Sequence, residues 1–459
     1  MRFLCLLAVV VAPLGCGNGP AGPAKGPSSE LAFAPRFDRM RLAVGPPGDT
    51  ELGAASLAPP SLELRSSTPS VGYLEGATRL SHVFEALRAL EDGQSHDDVR
   101  IVQYGDSHTA SDLGAAVFRR LLQARFGDGG RGFVSMGKPW KTYVQDGIRG
   151  GMTKEFAPKK IHAEDGRFSG DGCYGLLGVA IDADRPGARA WTQVAPPTSR
   201  VELDYWQQPR GGSFDVFIDG THAGRVATRA PRSDSGFFAF EVPDAPHEVE
   251  LRTVGDGSVR VFGMALDRAQ AGVLVDALGI NGAQVFTPLH WSEEHFTQQL
   301  RRRAPDLVVL AYGTNEALDS KLDMTEYERA LVDLLGRVAR AVPSASCLLL
   351  GPPDLALASK TEPDDWTTSA RVLDIVAVQQ RVASAGGCAF YDQLQAMGGP
   401  GSMAAWALEA EPRAARDRVH LKRSGYAQLA TSLTTDLLRA YDAWRAEPRV
   451  PKTWDVAAR

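Results

Sequence analysis

The chain changes rhythm along its length. From Gly17 to about Ser70 its apolar residues keep no period, and Gly, Pro, Ala and Ser dominate. Such a stretch buries too little surface to offset its ordering entropy, so it reads as a tether. Order is expected from Tyr73. Val83, Leu87 and Leu90 recur at helical spacing, Arg100 to Tyr104 forms a short strand, and Leu113, Val117, Leu121 and Leu122 mark a second helix. Strand, tight turn and helix in that order begin an α/β unit. Between Ile161 and Arg268 the period falls to two: Val201, Leu203 and Tyr205, then Phe214, Val216 and Ile218, then Val249, Leu251, Val259 and Val261, with Asp219-Gly220 as a turn signal. Short alternating strands without a long helix predict an antiparallel β-sandwich. Strand and helix signals resume after Ala271. They run through the strand Asp306 to Leu310, the stripe Tyr327, Leu331, Leu334, Leu335 and Val338, and the last helix of Leu429, Leu433, Leu437, Tyr441 and Trp444. The β-region is therefore inserted into the α/β domain.

Length and composition change this picture little. With 459 residues, 44% hydrophobic and 23% charged, the chain has enough apolar surface for a sizeable core. A net charge of -5 argues against a nucleic-acid binder, which needs a basic face. The N-terminus adds more. Arg2 precedes an apolar run from Phe3 to Leu14, too short to span a membrane and suited to a signal peptide, and Pro13-Leu14-Gly15-Cys16 resembles a bacterial lipobox. Lipidation of Cys16 is expected, with the protein exported to the periplasm or surface of a Gram-negative cell and touching the membrane only through that anchor. The expected organisation is residues 1–15 as signal peptide, 16–72 as lipid-anchored tether, 73–160 and 271–445 as one discontinuous α/β domain, 161–270 as the insert and 446–459 as a tail. Of the five cysteines, Cys347 and Cys388 sit in strand-like runs and would pair if those strands are neighbours. The preferred reading leaves both as buried free thiols. No cysteine spacing suits zinc.

Candidate chemistry lies in three places. Ser107 follows a strand and opens a helix within Gly105-Asp106-Ser107-His108, which exposes its hydroxyl at the carboxyl edge of a sheet. Asn315, in Gly313-Thr314-Asn315-Glu316, follows another strand and offers an amide over the same edge. Asp417 and His420, three apart before the last helix, let one short loop hold a carboxylate against an imidazole. A serine nucleophile needs such a base, an acid to orient it, and donors for the oxyanion that develops.

These blocks, in this order, resemble those of the SGNH (GDSL-like) hydrolases. The resemblance implies a flavodoxin-like three-layer α/β/α parallel sheet and a serine esterase with Ser107, Asp417 and His420 as its triad. It implies an oxyanion hole from Ser107, Gly282 (in Gly279-Ile280-Asn281-Gly282) and Asn315, and no metal or organic cofactor. His108, Asp112 and the run Phe126 to Phe133 are similar to the Gram-negative peptidoglycan O-acetylesterase branch, in which a carbohydrate-binding-like module is inserted. That branch implies an O-acetylated cell-wall glycan as substrate. Another acetylated envelope polysaccharide, acetyl transfer to a sugar, or a non-catalytic glycan-binding lipoprotein are the alternatives. His108 is expected to be structural or to touch substrate rather than act as base, and Asp106 to cap the turn. Tyr205, Trp206, Phe237 and Phe238 are candidates for sugar stacking, but as strand residues they are expected in the core.

Overall fold

The apolar strands of the α/β region are buried on both faces, and their side chains divide by parity. In the computed structural model, which describes residues 72–164, 167–359 and 365–448, six of them form one sheet. Its order is Leu74–Glu75, Ala389–Tyr391, Ser346–Leu350, Leu307–Ala311, Val99–Gly105, Val273–Gly279. Ile101, Val275, Val309 and Leu348 pack on Leu87, Phe118 and Leu437 from the helices Ser81–Glu91, Leu113–Phe126 and Arg423–Ala446. Val102, Leu278, Val308, Leu310 and Leu349 face the other way, onto Phe296, Leu331 and Ile375 of Glu293–Arg303, Met324–Ala341 and Ala370–Gly386. Three layers result, and double-sided burial explains why these strands read as continuous apolar runs. The sheet is mixed rather than wholly parallel, because the two-residue edge strand Leu74–Glu75 runs antiparallel to Ala389–Tyr391. The signal segment, Cys16 and almost all of the tether and tail lie outside the described residues.

Between the neighbouring strands Val99–Gly105 and Val273–Gly279 the chain builds a nine-stranded antiparallel sheet. It starts earlier than the alternation suggested. Gly130–Val134 pairs with Val259–Asp267, and Ile148–Met152 pairs with Arg189–Gln207. A glycine-rich strand whose partner lies over a hundred residues downstream carries no period of its own to reveal it. The sheet has its own core around Leu203, Phe214, Val249 and Met264. Phe133, Tyr143, Tyr174 and Phe262 instead join the α/β core beside Ile280, Ala283 and Val285. Buried charges reinforce this junction. Asp276, wholly buried on its strand, accepts from Phe133 N–H at 2.7 Å and from Arg303 Nε at 2.6 Å, and Arg303 also reaches Asp267 at 3.0 Å.

Cys347 and Cys388 form a disulfide, which corrects the expectation of free thiols. Their strands are parallel neighbours with Leu348 opposite Ala389, a register that sets the preceding residues side by side. Strand adjacency of this kind is a tertiary fact.

Candidate active site

Three strands end in register. Gly105 lies opposite Gly279 on one side and Ala311 on the other. The chain then leaves each strand over the same carboxyl edge, carrying Ser107, Gly282 and Asn315 a few residues later. The turn at Gly105 is tight: a Cβ there would lie 2.3 Å from Thr109 Oγ1 and 2.8 Å from the Ala311 carbonyl oxygen. Glycine is thus required for the helix Ser107–Ala110 to start directly above its own strand. Asp106 caps that turn, accepting from His108 N–H at 2.8 Å.

Asp417 and His420 come from late in the chain, on the loop before its last helix. The loop before the helix Arg423–Ala446 folds back on itself, with Ala415 N–H donating to His420 O at 2.8 Å and Lys422 N–H to Arg413 O at 2.8 Å. Arg418 takes φ 54° in this loop, and its carbonyl accepts from Ala356 N–H at 3.1 Å. The final helix packs against Leu113–Phe126, so His420 is delivered beside the serine. Ser107 Oγ and His420 Nε2 are 2.9 Å apart, and His420 Nδ1 lies 2.7 Å from Asp417 Oδ2. The other Asp417 oxygen accepts from Val419 and His420 N–H, each at 3.0 Å. Partial burial alone would raise the Asp417 carboxyl, but hydrogen bonds from His420 and these backbone groups outweigh it and hold it below the usual carboxylate range. An ionised Asp417 retains the proton on Nδ1 and leaves the Nε2 lone pair facing Ser107.

His108 does not share this role. Its Nδ1 is 2.9 Å from Tyr426 Oη, and its ring stands 5.4 Å, centroid to centroid, from that of His420. Burial holds its imidazole below the ordinary histidine value.

The Asn315 amide donates to Ala283 O at 2.8 Å, which leaves its second N–H for another acceptor. Gly282, immediately before Ala283, is exposed with φ 78°. The residue that reading the sequence missed is Glu316. It is wholly buried, and its carboxylate accepts from Val285 N–H at 2.6 Å and Gly313 N–H at 3.0 Å. Its place three residues after Gly313, at the start of a helix, is the acidic position of a capping box, and that spacing was the available signal.

The four aromatic candidates are occupied elsewhere. Tyr205 is buried against Phe214, Trp206 meets His295 edge-on, Arg302 covers Phe237, and Phe238 packs beside Phe240. Among the described residues no cluster of three or more His, Cys, Asp or Glu side chains is arranged to hold a metal ion.

Residues 247–428 match the model of the GDSL-like Lipase/Acylhydrolase family. That span holds Gly282, Asn315, Asp417 and His420 but begins within the antiparallel sheet, so Ser107 precedes it. No curated protein matches. Among solved structures, a peptidoglycan O-acetylesterase aligns with a TM-score of 0.67 at 25% identity, over 81% of this chain and 99% of that one. A carbohydrate esterase family 2 enzyme plus carbohydrate-binding domain from Corynascus thermopiles aligns at 0.27 and 13%, over 57% and 96% of the two chains. A family two carbohydrate esterase from Cellvibrio japonicus aligns at 0.27 and 13%, over 64% and 98%. Scores that low add nothing to the argument.

Proposed function

Starting from a chain that has the SGNH-hydrolase fold, carries a GDSL-like lipase/acylhydrolase domain and is a carboxylic ester hydrolase, we propose that it removes O-acetyl groups from an envelope glycan, peptidoglycan first, through an acetyl-serine intermediate. The observation that carries this reading is the unbroken relay from Asp417 through His420 to Ser107, with links of 2.7 and 2.9 Å. The likeness to a peptidoglycan O-acetylesterase supports the substrate class.

In this mechanism His420 Nε2 takes the Ser107 proton as Oγ attacks the acetyl carbonyl, and Asp417 stabilises the imidazolium that forms. The Ser107 and Gly282 backbone N–H groups and the free N–H of Asn315 receive the oxyanion. Collapse breaks the ester bond, and His420 passes its proton to the departing sugar oxygen. Water, deprotonated by the same imidazole, then attacks the acetyl-serine; Ser107 regains its proton and acetate leaves. No step calls for a metal or organic cofactor.

The rest of the reading concerns delivery. Export with a lipid on Cys16 and the tether of residues 16–72 would let a membrane-anchored enzyme reach wall glycan. We read the antiparallel sheet as an inserted β-sandwich of carbohydrate-binding type. In support, its longest strands, Arg189–Gln207 and Asp234–Thr253, break register between Glu241 and His247, and residues from both halves share one apolar core.

The test is hydrolysis of a chromogenic acetate ester by the mature protein beside Ser107→Ala. Loss of at least about 10⁴-fold in the variant is expected. Retained activity would assign the nucleophile elsewhere. Acetate release from O-acetylated peptidoglycan without an added acceptor then separates hydrolysis from transfer.

A further inference from the structure

The two side-chain and loop donors of the oxyanion site come from different strands, and something must fix their spacing. Gly282 cannot do this by its own packing. It is exposed, it has no side chain, and a Cβ placed on it would meet nothing within 4 Å. Its loop is held from outside, by two consecutive residues of the helix Thr314–Leu318. Asn315 takes the Ala283 carbonyl and Glu316 takes the Val285 N–H. The second oxygen of Glu316 takes the N–H of Gly313, on the turn that launches Asn315.

Resting on the esterase reading above, we propose that Glu316 is a positioning residue whose buried carboxylate clamps the Gly282 loop to the Asn315 turn and so sets the distance between two oxyanion donors. The chemistry of the position requires a carboxylate. Two N–H groups from separate loops point at it, and only a group with two acceptor oxygens satisfies both. A glutamine would turn an NH₂ toward one of them, and an alanine would leave both unpaired in the interior. Keeping an acid here is costly to the fold. Burial pushes the carboxyl up to about 7, against the pull of three backbone N–H groups, those of Val285, Gly313 and Glu316 itself, and the nearby charge of Asp106 adds to the rise. The buried phenols of Tyr312 and Tyr327 are driven well above their ordinary value by burial, with the charge of Glu316 as a further contributor.

The experiment is steady-state kinetics on a chromogenic acetate ester with the full mature chain as Glu316→Gln, Asn315→Ala and the double variant, with Ser107→Ala as baseline. We expect Glu316→Gln to lower kcat by about 10–10²-fold, with KM unchanged within about twofold, because only the transition state uses the displaced donors. The losses of the single variants should not multiply: the double variant should fall short of their product by about tenfold or more, since both act on one pair of donors. A Glu316→Gln enzyme with normal kcat, or losses that multiply in full, overturns the proposal. If Glu316→Gln does not fold, Glu316→Asp decides. It keeps two acceptors at shorter reach, and it should lose kcat without KM; a folded Asp variant with the parent's kcat would overturn the idea. Ser107-independent turnover in the parent would instead sink the esterase reading, and so separates the two failures.

Discussion

Two carboxylates in this molecule grip a basic side chain at nearly the same distance, in opposite surroundings. Asp417 meets His420 at 2.7 Å at the mouth of the site, with the two side chains 51% and 43% exposed. Asp276 meets Arg303 at 2.6 Å beneath the sheet, with exposures of 0% and 7%. The first pair joins residues three apart on one loop. The second joins the edge strand Val273–Gly279 to a helix and, through Phe133 N–H and Asp267, to the inserted sheet. Its partner is a guanidinium, which does not titrate, where the first pair uses the one side chain whose ordinary pKa lies near neutrality. A proton relay must load and discharge, so it stays near solvent. A structural charge needs only to remain paired, so it is buried where its loss would be most damaging.

Exchanging the roles is the strongest way to break this comparison. Asp417→Asn keeps an oxygen for the Val419 and His420 N–H groups but cannot retain the right imidazole tautomer. The expected result is a fall of about 10⁴-fold in kcat with little change in thermal midpoint. An equal loss of stability would mean that the loop, rather than the relay, depends on Asp417. Asp276→Ala should behave in the opposite way. It strips a buried guanidinium of one partner and orphans a backbone N–H, at a cost of about 3–5 kcal/mol in denaturant unfolding. Turnover per folded molecule should stay within a few fold of the parent. A collapse in turnover without a loss of stability would move Asp276 from the scaffold to the chemistry.

The same contrast explains what the sequence made legible. Asp417 and His420 are neighbours in the chain, and Ser107 and Asn315 each follow a strand whose apolar run is local, so local patterns marked them as candidates, and the resemblance of the ordered blocks to SGNH hydrolases joined them into one site. The stripe of Tyr327, Leu331, Leu334, Leu335 and Val338 likewise became the buried face of Met324–Ala341. The pairing of Asp276 with Arg303 left no mark, because it depends on a helix crossing under a strand. The Cys347–Cys388 bond, the pairing of Gly130–Val134 with Val259–Asp267, and the burial of Glu316 were hidden for the same reason. Each is decided by which elements become neighbours, and periodicity within one element says nothing about that.

A third basic side chain tests the rule where its effect is smallest. His295, on Glu293–Arg303, is 3% exposed, and its Nε2 accepts from Gly175 N–H at 2.8 Å. Its Nδ1 lies 3.2 Å from Ser235 Oγ, whose own proton goes to Gln298 at 3.0 Å. The ring is therefore neutral with its hydrogen on Nδ1, and a second proton would point at an N–H. Burial, helped by Arg260, lowers its pKa to about 4. The unfolded chain binds this proton from about 6.5 downward, so between about 6.5 and 4 it holds more protons than the folded one. Stability contributed by the neutral ring is thus present above that window and is lost as pH falls through it, by about 3 kcal/mol at most. His295→Gln keeps an acceptor for Gly175 and does not titrate. Urea unfolding at pH 7, 5.5 and 4.5 should show the parent losing more stability than this variant. Parallel decline in both proteins would mean that His295 takes up its proton without strain, and that burial of a basic group does not by itself separate scaffold from relay here.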